Sequence, residues 1–242
     1  MLHWTWMAVV TILLAVPAEP ALETVEQVEK KLIAQWDAVK SFTANMNMIT
    51  ISPMATEERK GAVEVVRHGE KSKMRMDMTA TMKMPGGQGE MKTKILMVSD
   101  GETVTALIDR MGRKMATKTR ASGKNNMDFG GKKLFEEMHA KFNLTLVDDA
   151  EVDGAKCWVI RADLKESDAA QGPVKYMHYF RKQDGIYAKR EGFSKDGQSV
   201  EKMTLSDIKI NPKIDPKRFE LEIPEGVQVM DMTSMGGGGG TP

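Results

Sequence analysis

Residues 74–84 read Met-Arg-Met-Asp-Met-Thr-Ala-Thr-Met-Lys-Met, and their alternation decides the fold. Met74, Met76, Met78, Ala80, Met82 and Met84 take every second position; Arg75, Asp77, Thr79, Thr81 and Lys83 lie between them. In an extended chain successive side chains point to opposite faces, and those two apart share a face at a spacing of about 7 Å. The segment therefore reads as a strand with one thioether face and one polar face. The pattern stands one strand earlier too, where Phe42, Ala44, Met46 and Met48 alternate with Thr43, Asn45 and Asn47. Met91 and Met97 flank the strand-like stretch that follows.

Outward from this ladder, strand-like stretches recur at short spacing over 61–67, 73–83, 92–98, 103–109, 113–119, 144–148, 157–163, 175–181, 186–193 and 199–209. Turn signals separate them, among them Pro85-Gly86-Gly87, Asp100-Gly101, Met111-Gly112, Asp153-Gly154, Asp184-Gly185 and Asp196-Gly197. Short connections imply antiparallel neighbours. About ten strands with one apolar face predict a large curved sheet or barrel. Residues 22–41 carry Leu22, Val25, Val28, Leu32, Trp36 and Val39 at intervals of three and four, which predicts an amphipathic helix. A second helix is expected over Lys132–Phe142, and a short turn near Pro216–Phe219.

The chain of 242 residues is charge-balanced, with 35 Lys+Arg against 34 Asp+Glu. That balance excludes a nucleic-acid binder working by charge alone, and no nucleic-acid partner is expected. One cysteine, Cys157, leaves no internal disulfide and no cysteine-cluster metal site. Residues 1–21 contain an apolar run, Trp4–Val16, too short to span a bilayer comfortably. Alanines follow at Ala18 and Ala21, as a signal peptidase prefers, so 1–21 reads as a secretory signal peptide. With no cysteine at the cleavage region, lipid attachment there is not expected. The mature domain is expected over 22–235, with a flexible Gly-rich tail over 236–242. An exported chain with one cysteine fits the periplasm of a two-membrane bacterium.

The unusual figure is methionine: 21, against 7 Phe, 4 Trp and 3 Tyr. Three readings compete. Methionine specifies a unique core poorly, and ordinary β-cores favour Val, Ile and Phe, which counts against plain core packing. Flexible, polarizable thioethers suit an adaptable surface for a greasy ligand. They are also soft ligands for Cu(I), although His68, His139 and His178 are scattered. Enzyme signatures are missing: there is no phosphate loop and no Gly-x-Ser-x-Gly. Cys157 beside Trp158 reads as a buried apolar residue. His178 is placed to titrate near neutrality, with no partner identifiable. The basic run Arg113–Lys124 reads as a solvated strand and loop, with anionic headgroups as the alternative contact.

Three segments together resemble the periplasmic outer-membrane lipoprotein carrier (lipoprotein-sorting) family. They are Lys94–Arg110 (KILMVSDGETVTALIDR), Ile214–Asp231 (IDPKRFELEIPEGVQVMD) and the Gly-led strand 61–67 (GAVEVVR). In the family the second segment is a helical turn, a Phe-x-Phe strand and a Pro-x-Gly-Val-x-Val ending. The resemblance implies a mainly β fold, a single antiparallel sheet curved into an incomplete half-barrel with covering α-helices. It implies an apolar cavity for lipoprotein acyl chains or lipid, and no chemistry on the cargo. An inner-membrane ATP-driven exporter and an outer-membrane receptor would be the partners. Arg67 matches the family's arginine that bonds to the lid, although His68 replaces the following proline. Where the carriers show aromatics after the Asp-Gly turn, this chain has Val104, Thr105, Ala106, Leu107 and Ile108.

The combined expectation is a periplasmic, monomeric carrier without cofactor, catalytic residue or metal site. Its lipid-binding residues would be Met46, Met48, Met74, Met76, Met78, Met82, Met97 and Trp36, with Arg67 as the lid contact. Periplasmic Cu(I) handling through the Met-x-Met ladder and an envelope-stress sensor domain of the same fold are the alternatives.

Overall fold

A computed structural model describes residues 23–68, 71–87, 89–121, 128–165 and 172–234. The secretory signal and the Gly-rich tail expected from the sequence lie outside the described residues. The first helix, α1 (Val25–Ala38), opens on a capping box: Thr24 accepts from the Gln27 amide while the Gln27 side chain accepts from the Thr24 amide. Its apolar stripe buries Val28, Leu32 and Trp36. A second helix, α2 (Lys132–Lys141), buries Phe135 and Met138.

Twelve strands form one sheet: β1 (Ser41–Ser52), β2 (Ala55–His68), β3 (Lys71–Lys83), β4 (Glu90–Ser99), β5 (Thr103–Arg110), β6 (Arg113–Arg120), β7 (Phe142–Val152), β8 (Ala155–Leu164), β9 (Lys175–Arg181), β10 (Tyr187–Phe193), β11 (Ser199–Ile210) and β12 (Val229–Asp231). Their order is β12-β6-β5-β4-β3-β2-β1-β11-β10-β9-β8-β7. Every pairing is antiparallel except β12 on β6. The outermost strands, β12 and β7, do not pair with each other, so the sheet curves without closing. This is the open half-barrel under two helices that the alternation and the family resemblance imply.

Several boundaries differ from the sequence reading. β2 starts at Ala55 rather than 61, because the polar run Thr56–Lys60 pairs with Asn47–Ile51 and with Thr79–Lys83. Pairing on both sides overrides weak local propensity. The helical turn appears at Pro216–Phe219, started by Asp215 accepting from the Lys217 amide, but no strand follows it over 220–223. Met84, last of the ladder, stands past the end of β3 and is 45% exposed.

Register aligns the methionines. Met46 and Met48 face Gly61 and Arg59; Gly61 in turn faces Met78, and Met76 faces Met97. These residues share the concave side. There Phe42, Ala44, Met46, Val63, Val65, Met74, Met76 and Met78 pack with Val28, Leu32 and Trp36 of α1 and with Phe135 and Met138 of α2.

Candidate functional site

One end of the concave face is solid. Trp36 packs edge-on against Phe42 at 6.0 Å, and Phe42 against Phe129 at 5.1 Å. Beyond this plug the sheet and α2 enclose a cavity of about 670 Å³. That lies within the roughly 300–1,000 Å³ of small-molecule sites. Its floor is Met46, Met48, Met76, Met78, Ile95, Met97 and Met203, continued by Val104 and Ala106 on β5. Leu134, Glu137, Met138 and Lys141 of α2 close over it.

The expected site residues divide accordingly. Met46, Met48, Met76, Met78 and Met97 come together on the cavity floor. Trp36 and Met74 belong to the packed plug, 6% and 3% exposed. Met82 is half-buried in β3 and does not reach the cavity lining. Arg67 joins sheet to helix: its Nη1 donates to the carbonyls of Trp36 and Val39, the latter at 3.0 Å. The guanidinium also lies 4.8 Å from the Trp36 ring centre and 3.6 Å from Asp37. A cation on the last carbonyls of α1 is where the helix dipole favours one. The two helices are themselves bridged, since His139 Nε2 lies 2.9 and 3.0 Å from the two Glu29 carboxylate oxygens.

The far wall is polar, which the sequence reading missed. Tyr176, His178, Tyr187 and Arg190 line the cavity from β9 and β10. His178 Nδ1 meets the Tyr187 hydroxyl at 2.5 Å, and the Arg190 guanidinium is paired with Glu201 while its charge acts on the Tyr187 hydroxyl. The expectation that His178 titrates near neutrality is corrected here. Burial, with the nearby Arg190 charge adding to it, holds its imidazole down at about 3. Burial also pushes the Tyr187 hydroxyl well up. The available signal was the alternation of Tyr176, His178 and Phe180, which places all three on one face. Cys157 is buried and free, its thiol pushed up to about 11 by desolvation, as befits an inert apolar residue. Among the described residues no group of three or more His, Cys, Asp and Glu side chains is arranged to hold a metal ion.

No family model matches the chain. It is 24% identical over 212 residues to an uncharacterized protein of Methanocaldococcus jannaschii, covering 87% of this chain and 55% of that protein. The chain thus spans about half the length of this curated relative. A solved structure of an uncharacterized conserved protein from Thermus thermophilus superposes with a TM-score of 0.53 at 10% identity, over 85% of this chain and 99% of that one. A putative outer membrane lipoprotein-sorting protein domain from Vibrio parahaemolyticus gives a TM-score of 0.36 at 12% identity, over 80% and 94%. The likeness is one of fold.

Proposed function

We propose that this protein is a periplasmic carrier that binds the acyl chains of lipoproteins or lipids and acts by binding rather than by catalysis. The observation that carries the reading is the methionine floor. Six thioethers from β1, β3, β4 and β11 line one cavity beneath a helix. Unbranched side chains repack around cargo of varied shape. Each buried methylene contributes about 0.8 kcal/mol, so one acyl chain suffices for reversible binding. Reversibility is what transfer between an inner-membrane exporter and an outer-membrane receptor would require.

Native mass spectrometry of the protein, purified gently from a periplasmic extract, tests the reading. Heterogeneous lipid-sized adducts lost on organic extraction are expected. Copper-sized adducts removed by a Cu(I) chelator would overturn it in favour of metal handling. The matching variant is Met48→Glu with Met97→Glu. Both residues are half-buried cavity liners, unlike Met76 and Met78 in the packed core, so the fold should survive while the adducts disappear.

A further inference from the structure

The polar wall of the cavity is a built hydrogen-bond relay with an unused end. The Arg190 guanidinium is paired with the Glu201 carboxylate, and its charge acts on the Tyr187 hydroxyl. A cation turns the oxygen of a neighbouring hydroxyl toward itself and the hydrogen away. The Tyr187 hydroxyl hydrogen is then available to His178 Nδ1, its 2.5 Å neighbour. A neutral imidazole that accepts at Nδ1 carries its proton on Nε2. His178 is 5% exposed, and its Nε2 has no hydrogen-bond partner among the described residues. A buried donor without a partner is unfavourable, a penalty that an incoming acceptor relieves.

We infer that His178 Nε2–H, held by the Tyr187–Arg190–Glu201 relay, reads an uncharged carbonyl oxygen of the cargo, that of a long-chain acyl ester. The inference rests on the lipid-binding reading above. Charge supports an ester over a free fatty acid. At the His178 end of the cavity the Arg190 cation already has Glu201 as its counter-ion, and the other lining cations, Arg59 and Lys141, stand on β2 and α2, so a carboxylate placed against His178 would be desolvated beside a cation that is already paired. His178 lines the same cavity as Met48 and Met203, whose flexible side chains can yield to a ligand. The methionines would thus hold the chain while the relay fixes how deep its ester sits.

The test is displacement of an environment-sensitive fluorophore from the delipidated full chain by 1-monopalmitoylglycerol and by 1-O-hexadecylglycerol. The second ligand has an ether in place of the ester and lacks the carbonyl. The ester is expected to bind about 3- to 10-fold more tightly, the value of one neutral hydrogen bond. That preference should fall to about one in His178→Phe, with ether binding retained, and return partly in His178→Gln, which keeps a donor. Equal binding of both ligands to the unaltered protein, or a preference that survives His178→Phe, would overturn the inference and leave the carrier reading standing. Binding of neither ligand would overturn both. A measurement free of substitution uses ¹⁵N-labelled histidine in the unaltered protein. The Nε2-protonated tautomer should be present, and its Nε2–H resonance should move on adding the ester but not the ether. The opposite tautomer would equally defeat the assignment.

Discussion

Gly61 faces the concave side between Met46 and Met78, where β2 runs close against the β3 backbone. A Cβ built there would lie 1.9 Å from the Asp77 carbonyl oxygen, so no other residue fits without moving backbone. Gly61→Ala is expected to destabilise the protein by at least about 1–3 kcal/mol in urea unfolding, the usual range for overpacking. His178 sets a second expectation. Its folded pKa of about 3 lies below the unfolded value near 6.5. Between those values the unfolded chain binds a proton that the folded chain refuses, so stability rises with pH. As pH falls from 6.5 toward 3, this group removes about 1.4 kcal/mol per unit. Urea melts at pH 7 and pH 4.5 should therefore give a difference about 2–3 kcal/mol larger for the unaltered protein than for His178→Phe. The aromatic substitution adds a constant offset from the stranded Tyr187 hydroxyl but no slope. Equal slopes would mean that His178 is protonated while the protein is still folded.

At the scale of elements, α1 and α2 are held to the sheet by different means. The C-terminus of α1 is tied to β2 through Arg67, and its N-terminus to β8 through Trp158 Nε1, which donates to Glu23 at 2.8 Å. Arg67→Met keeps an unbranched apolar stem but removes the guanidinium and its donors, leaving two carbonyls to water. It should cost about 2 kcal/mol, as a charged hydrogen bond does, and speed amide exchange in the last turn of α1 more than in the strands. α2 is linked to α1 through the His139–Glu29 pair. His139→Ala leaves a buried carboxylate without its partner. It is expected to raise amide exchange across α2 while sparing β9 and β10, and unchanged exchange in α2 would show that its apolar face alone holds it.

At the scale of the molecule, the carrier reading proposed above couples cargo to stability. A ligand that binds only the folded chain adds about 2.7 kcal/mol at a hundredfold excess over its Kd. Delipidated protein should melt at a lower temperature than protein as purified, and 1-monopalmitoylglycerol should restore the difference. The sheet was legible in residues 74–84 because a period of two leaves one face apolar whatever lies opposite. The start of β2 was not, because Thr56–Lys60 is strand only by virtue of neighbours on both sides. Five methionines of the site were legible for the same reason as the sheet, and Met203 was not, because its strand carries no ladder of its own.

The sequence by itself determined the alternation, the turn positions and the capped first helix, since each rests on residues within a few positions of one another. It also determined that one face of the sheet is thioether. Only the tertiary structure decided which apolar residues fill the plug and which line the cavity. Met74 shares the periodicity of the floor residues yet packs in the plug with Phe42 and with Trp36 of α1. The relay, too, is a tertiary product. His178, Tyr187, Arg190 and Glu201 come from three strands, and the register that aligns Arg190 with both His178 and Met203 makes them one wall. Burial then fixes the charge state of His178, a property of its surroundings that local sequence does not encode.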